Sequence, residues 1–386
     1  MIIFSKALAD QATVWKVLRE SETCENLPPD LVRFSGISRP VVMWNLTRRC
    51  NLSCDHCYLD ARGETRDELG LDEGIRLIDD LADMNVPVLI FTGGEPLLSK
   101  NFHAYSFHAR EVGLRTALST NGTLITPEVA RLLAEAKIRY VGVSLDSARP
   151  EAHDKFRGVE GSHACALQGI RNAREAGLKT GLRLTLTRDN WFEIPALLDL
   201  ALEEGIPRFC LYHLVPTGRG AGIADRDVTP EQRRSVIKLL AQAAVELKDR
   251  EIEILTTDSP MDGAYLLELL KDDPKRETVR SLLTNAGGCS TGSKVANVNH
   301  RGDVHPCHFM PQIVVGNVRE RSFRDIWIDN PVAELKALRE IKGNLKGSCG
   351  KCEYLELCGG CRQKAFHYMG DVLGEDPTCI LDKGKI

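Results

Sequence analysis

From residue 40 onward the spacing of apolar positions switches back and forth between two periods. Short apolar runs of β character stand at VVMWNLT (41–47), VPVLIF (86–91), LRTALS (114–119), RYVGVSL (139–145), TGLRLTL (180–186) and RFCLYHL (208–214). Stretches with helical spacing fall between them: LDEGIRLIDDLADM (71–84), FHAYSFHAREVG (102–113), PEVARLLAEA (127–136), HACALQGIRNAREAG (163–177) and FEIPALLDLALEEG (192–205). Several end in Gly, which accepts the left-handed backbone that stops a helix. Strands alternating with helices predict a parallel sheet of right-handed βαβ units. Eight such units normally need ~250 residues. Residues 39–225 hold six, so the expectation is an α/β fold, a partial (β/α)6 TIM-like barrel. Functional side chains then belong at the C-terminal ends of the strands.

The flanks have a different texture. Residues 1–38 form a mixed N-terminal lead-in that ends in SGISRP. Residues 226–286 read as a helical bridging segment, with a helix near 228–249 and one strand-like piece, EIEILTT. From 287 to 386 Gly, Cys and turn residues rise and long periodic helices fade. Such a tail cannot build a large core, and small domains of that kind are usually held by metals or disulfides.

Apolar residues make up 43% and the net charge is −4, which gives no basic excess for nucleic acid or an anionic membrane. No apolar run approaches the ~18 residues of a membrane span. The start, MIIFSKALADQ, lacks the basic region of a secretory signal. The expected location is the cytoplasm, with neither nucleic acid nor membrane as partner. The 13 cysteines change the picture. An odd number in a reducing compartment does not suggest a disulfide framework. Ten fall into two groups, while Cys24, Cys165 and Cys210 stand alone and read as small buried hydrophobes or surface thiols.

The first group is Cys50, Cys54 and Cys57, spaced C-x3-C-x2-C just past the first strand in WNLTRRCNLSCDHCY. Close thiols on one short loop suit an iron–sulfur cube. Three ligands for four irons leave one iron open to a small molecule. A structural zinc with a distant fourth ligand, such as His56, is the competing reading. Directly after the second strand comes Thr92-Gly93-Gly94-Glu95-Pro96. Its two glycines let a ligand approach the backbone, and Glu95 offers a carboxylate to a cation. A plain electron carrier has no need of that element.

CNLSCDHC followed by TGGEP resembles the radical S-adenosylmethionine (radical SAM) superfamily over roughly residues 40–215. The resemblance implies a [4Fe–4S] cluster on Cys50, Cys54 and Cys57, with S-adenosyl-L-methionine chelating the open iron. One electron would split the sulfonium into methionine and a 5′-deoxyadenosyl radical, which abstracts hydrogen from the substrate. A reducing donor such as flavodoxin or ferredoxin is implied. By the same match Gly93, Gly94 and Glu95 would meet the methionyl amino end, and Ser119 and Asn121 the ribose or methionyl end. Ser144 and Asp146 are placed for the same ligand. Asn121, Ser144 and Asp146 also suit capping and turns. His56 stands where the family usually has an aromatic residue beside adenine, and Arg183 is a further candidate for the cofactor carboxylate.

The second group is Cys289, Cys307, Cys349, Cys352, Cys358, Cys361 and Cys379. It exceeds one tetrahedral site, although zinc stays open as an alternative. It resembles the SPASM extension of radical SAM maturases, a small iron–sulfur C-terminal domain with one or two auxiliary clusters. That family would assign Cys349, Cys352, Cys358 and Cys379 to one cluster. Cys289, Cys307 and Cys361 would go to another, one ligand short. The last pair is C-x2-C here, where the family usually has C-x3-C.

Stretches such as RPVVMWNLTRRCNLSCDHCY and GCSTGSKVANVNHRGDVHPCHF are similar to the branch of haem d1 synthesis and the alternative, sirohaem-dependent haem pathway. The resemblance implies removal or modification of carboxylate side chains on a sirohaem-derived tetrapyrrole. Such a substrate is a flat, iron-bearing polyanion. Arg48, Arg49 and Arg219 are candidates for its carboxylates, and His300, His305 and His308 for its iron. Exposed basic groups and loop-stabilising histidines are the plain alternative. A peptide or protein substrate is the rival reading, because most SPASM members are maturases.

Overall fold

The computed structural model describes residues 1–9, 35–63 and 66–381. Cys24 and most of the 1–38 lead-in lie outside the described residues. One sheet runs through the molecule in the order β1-β8-β7-β6-β5-β4-β3-β2-β9-β10-β11. Its strands are β1 (Ile2–Ile3), β2 (Val41–Asn45), β3 (Leu89–Thr92), β4 (Thr116–Thr120), β5 (Tyr140–Ser144), β6 (Thr180–Leu186), β7 (Arg208–His213), β8 (Glu253–Thr257), β9 (Val295–Val298), β10 (Asp303–His305) and β11 (Gly316–Asn317). Strands β2 to β8 are parallel neighbours, in registers such as Trp44↔Phe91 and Arg183↔Cys210.

The crossover helices start where local chemistry favours them. Helix α1 is Phe4–Ala9, α2 is Leu71–Asp83, α3 is Phe102–Glu111 and α4 is Pro127–Glu135. Thr126 caps α4 by accepting from the Val129 N–H at 3.2 Å, and Pro127 takes the first turn, where no amide is needed. After β5 come α5 (Pro150–Arg157) and α6 (Ser162–Glu175), then α7 (Ile194–Glu203) and α8 (Pro230–Glu246). Thr229 and Gln232 form a reciprocal capping box at the start of α8, at 3.2 and 2.9 Å. Helices α9 (Met261–Leu269) and α10 (Arg276–Ala286) precede the tail, which carries α11 (Ala333–Arg339), α12 (Gly347–Gly350) and α13 (Arg362–Met369).

The two faces of the sheet differ. The outer face packs on the helices through one continuous apolar core that includes Trp44, Phe91, Leu182 and Phe209. The inner face has a small apolar floor of Val88, Ala117 and Tyr140 with Val41 and Ile90. Beside it sits a buried Arg208–Glu253 ion pair at 3.1 Å. Toward the C-terminal ends Ser119, Ser144, Arg183, Tyr212 and Thr257 stay partly exposed. The barrel interior is therefore a chamber with polar side chains at the strand ends, the side where function is expected.

The expected bridging segment over 226–286 is not wholly helical. Its strand-like piece is β8, a seventh parallel strand beside β7. The tail expected from 287 onward is not separate from the sheet either, because β9 pairs in parallel with β2. The reason is the same at both ends. A partial barrel leaves two raw edges, and unpaired edges are a liability. At one end β1 pairs antiparallel with β8, and the Ser5 Oγ accepts from Ile254 N–H at 2.8 Å. At the other end the tail covers β2.

Phe4 is fully buried in this clasp. Phe4→Ala should cost about 3–5 kcal/mol, seen as a lower urea midpoint with an unchanged slope. An unchanged midpoint would show that the clasp is not part of the stable fold.

Candidate active site

The loop after β2 carries Cys50, Cys54 and Cys57, and it is held from several sides. Gly94 N–H donates to Thr47 O and Glu95 N–H to Arg49 O, each at 2.8 Å. A Cβ on Gly94 would lie 2.2 Å from Arg49 O, and one on Gly93, whose φ is 141°, would lie 2.6 Å from Thr47 O. The bare faces of the two glycines are thus filled by the cysteine loop itself, rather than left for a ligand. On the far side Ser53 N–H and Asp55 N–H donate to Arg157 O and Phe156 O at 3.0 and 3.2 Å. Arg219, in the segment after β7, donates to Cys54 O at 2.9 Å, Ala61 O at 3.0 Å and Asp60 at 3.0 Å. Its own N–H donates to Cys57 O at 2.9 Å.

Each thiol of this loop has a nitrogen donor. Leu52 N–H reaches Cys50 Sγ at 3.4 Å, Ala61 N–H reaches Cys57 Sγ at 3.3 Å, and the Arg157 guanidinium reaches Cys54 Sγ at 3.6 Å. Burial pushes the Cys50 thiol up to about 11, and the nearby Cys54, Glu95 and Cys57 push the same way. Free Cys50 and Cys54 thiols are therefore poor anions here, while donors aimed at sulfur suit thiolates bound to a cluster, whose potential such bonds tune. The twelve cysteines among the described residues are all free of disulfides. Among the described residues no three His, Cys, Asp or Glu side chains converge on a point fit for a single metal ion.

Glu95 is fully buried. Its carboxylate accepts from Leu97 N–H at 3.2 Å, from the Thr120 hydroxyl at 2.8 Å and from Asn121 N–H at 2.9 Å. It ties the end of β3 to the end of β4. Asn121 bridges to Asn51 Oδ1 at 2.8 Å and lies 4.0 Å from Cys50 Sγ. Ser119 accepts from Arg183, which lies over the Tyr140 and Tyr212 rings at 5.6 Å each. Gly142 makes room for that side chain, since a Cβ there would stand 2.1 Å from Arg183 Nε. Ser144 is partly exposed at the end of β5. Asp146 is buried, paired with Arg157 at 2.5 Å and accepting from Thr185 N–H at 2.8 Å. His56 stacks on Phe156 with centroids 4.4 Å apart.

Several site residues carried no signal in the sequence. Arg157 joins Asp146 to Cys54, and it sits on α5, a helix that the apolar pattern does not announce. The Tyr58 hydroxyl donates to Asn45 Oδ1 at 2.9 Å, and its ring meets His308 and Phe309 edge-on at 5.5 and 5.6 Å. Asp258, at the end of β8, holds a left-handed backbone with φ 66°, and its Oδ2 is buried without a hydrogen-bond partner. Burial pushes its carboxyl up to about 6.

In the tail Cys349, Cys352, Cys358 and Cys379 line one pocket together with Asp376. Asp376, Tyr354 and Gly360 N–H groups reach Cys349, Cys352 and Cys358 Sγ, each at 3.4 Å. Cys289, Cys307 and Cys361 form a separate neighbourhood. After burial and the Phe309 N–H, Cys289 and Cys361 are the next influences on the Cys307 thiol.

Residues 44–201 match the radical SAM superfamily, and residues 289–362 match SPASM, an iron–sulfur cluster-binding domain. The chain is 42% identical over a 395-residue alignment to Fe-coproporphyrin III synthase of Methanosarcina barkeri, covering 100% of this chain and 99% of that protein. This chain belongs to the radical SAM superfamily. Another superfamily relative is pre-heme d1 synthase of Dinoroseobacter shibae, 38% identical over 92% of this chain and 89% of the relative. Mycofactocin maturase MftC of Mycolicibacterium smegmatis is 30% identical over 89% of this chain and 84% of the relative. A crystal structure of Streptococcus suis SuiB bound to precursor peptide SuiA shares the fold, with TM-score 0.73 at 21% identity over 89% of this chain and 76% of that one. As a radical SAM protein with a SPASM domain, the chain is an iron–sulfur enzyme that uses S-adenosylmethionine. Among the described residues no helix is long and apolar enough to cross a membrane.

Burial pushes the Glu95 carboxyl up to about 7 despite its donors. Against an unfolded value of ~4.3, its contribution to stability is complete below that pH and is lost as pH rises through about 7. Glu95→Gln should remove this component, so that the stability difference between the two proteins changes with pH across that window and is constant above it. Denaturant titrations without added S-adenosylmethionine at several pH values would measure it. A pH-independent difference would contradict the assignment.

Proposed function

We propose that this radical SAM enzyme removes or modifies carboxylate side chains of a sirohaem-derived tetrapyrrole in haem or haem d1 biosynthesis. The observation that carries the reading is the end-to-end similarity to Fe-coproporphyrin III synthase. The peptide-maturase relative is less similar, and the likeness to SuiB is one of fold alone.

In this reading Cys50, Cys54 and Cys57 hold the first cluster at the rim of the polar chamber. With a donor such as flavodoxin or ferredoxin, that cluster and bound S-adenosylmethionine would supply a 5′-deoxyadenosyl radical for hydrogen abstraction from the substrate. Gly93, Gly94 and Glu95 shape the methionyl end of the cofactor pocket through their backbone and the buried carboxylate. Ser119, Asn121 and Ser144 offer polar contacts on successive strand ends. Asp146 acts at one remove, by fixing Arg157 against Cys54. Arg183 gives the chamber a cation for a carboxylate. The candidates Arg48 and Arg219 are spent on the cysteine loop instead, Arg48 donating to Asp60 O at 2.9 Å. Arg49 lies 3.6 Å from Glu68. Cys349, Cys352, Cys358 and Cys379 hold one auxiliary cluster. Cys289, Cys307 and Cys361 would hold a second through three thiolates.

Anaerobic reconstitution followed by iron analysis tests the cluster count: about twelve irons per chain mean three cubes and about eight mean two. With reductant and S-adenosylmethionine, didecarboxysirohaem should raise 5′-deoxyadenosine release, and the tetrapyrrole should lose side-chain mass. An unchanged tetrapyrrole removes the haem reading. Cys54→Ala should abolish 5′-deoxyadenosine formation while the tail keeps its iron. Cleavage at the wild-type rate would refute the ligand assignment.

A further inference from the structure

An iron-bearing macrocycle has a handle that no peptide has, an axial coordination site, and neutral imidazole is a common protein ligand for it. This inference rests on the tetrapyrrole reading. Three histidines near the barrel mouth were candidates. His305 is spent: its Nδ1 pairs with Ile313 O at 2.9 Å and its Nε2 with Asn299 at 3.2 Å. His300 is buried at 6% exposure in the turn between β9 and β10. His213, which was not among the three, ends β7 and is fully buried, its Nε2 2.7 Å from Asp262.

His308 differs on each count. It is partly exposed. Its Nδ1 lies 4.0 Å from Cys307 Sγ, and no residue among those described hydrogen-bonds its Nε2. Neighbouring groups hold the ring in place. It stands in a turn closed by Met310 N–H to Cys307 O at 3.0 Å. It packs on Phe309 with centroids 3.8 Å apart and meets the edge of Tyr58 at 85°. Tyr58 is fixed in turn through Asn45, at the end of β2. The surroundings are two aromatic rings and the chamber that holds Arg183, which suits a flat, apolar macrocycle bearing carboxylates at its edge.

We infer that the Nε2 of His308 ligates the iron of the tetrapyrrole substrate and seats the macrocycle at the mouth of the inner chamber. The residue is then a specificity determinant that separates iron-bearing tetrapyrroles from metal-free ones. It also joins the substrate's iron to the segment that carries Cys307, so the two keep a fixed spacing.

The probe is ferric coproporphyrin III, with its metal-free form as control. Both are titrated anaerobically into the reconstituted protein with its clusters oxidised, and optical and electron paramagnetic resonance spectra are recorded. The wild type should show the signature of imidazole on ferric iron. His308→Ala should lose that signature and bind the iron form roughly tenfold more weakly, about 1.4 kcal/mol, with unchanged affinity for the metal-free form. Added imidazole should restore the signature in the variant, which a merely structural role would not allow. His300→Ala should match the wild type. Retention of the signature in His308→Ala overturns the inference and leaves the substrate reading standing. Failure of the wild type to bind either tetrapyrrole overturns both.

Discussion

The structure depends on one irregular loop whose backbone must be satisfied from outside. Three thiols can share one cluster only if the chain between them is neither helix nor strand, and such a chain carries amides and carbonyls with no partners of their own. Here the partners arrive from the ends of three different βα units. The turn after β3 donates to Thr47 and Arg49, the end of α5 accepts from Ser53 and Asp55, and Arg219, beyond β7, donates to Cys54 and Ala61. Sheet order is thus a condition for the thiols' positions. A side chain on either glycine of the turn after β3 would push out the strand-like pairing that starts the loop.

The same logic explains why the tail is fused to the sheet. β2 launches the cysteine loop, and a free edge on β2 would leave that launch point soft. Pairing β9 with β2 stiffens it and brings β10 and the Cys307 turn back over Tyr58. The second group of thiols is thereby indexed to the first through a few residues of sheet, without a linker between two bodies. This geometry lets auxiliary cysteines share a chamber with residues of the barrel.

What could be read from the sequence follows how local each signal is. The strand at 180–186 has the bounds its alternation gives, because a run buried on one face and half-open on the other has a clear period. The cysteine spacing and TGGEP are equally local. β8 was legible as a strand but not as part of the barrel, since a lone strand between helices does not say which edge it will join. α5 escaped notice because PEAHDKFR buries only His153, Phe156 and Arg157. Arg219 suggested an anionic ligand by its charge alone, and its contacts with Cys54 O, Asp60 and Ala61 O are long-range ones that no local pattern announces. A carboxylate after a strand, such as Asp146, reads the same whether or not an arginine stands behind it, and here it pairs with Arg157.

The buried charges beneath the tail complete the argument. Asp227 pairs with Arg233 of α8 and Lys364 of α13, both at 3.0 Å, and each cation is 1% exposed. Burial alone would push the Asp227 carboxyl up, but Lys364 and Arg233 outweigh it and hold it at about 2. Apolar side chains of the same volume would fill this space at no worse stability, so the ion pairs are not there for their net energy. Their effect is on register. An apolar contact between α8 and α13 tolerates sliding by a fraction of a turn. A shared carboxylate does not, because any slip strands a charge in the interior at a cost of several kcal/mol. Lys364 lies one helical turn after Cys361, and its backbone and charge both act on that thiol. Fixing Lys364 therefore fixes Cys361, and this thiol is placed by electrostatics where the small tail has too little core to place it by packing.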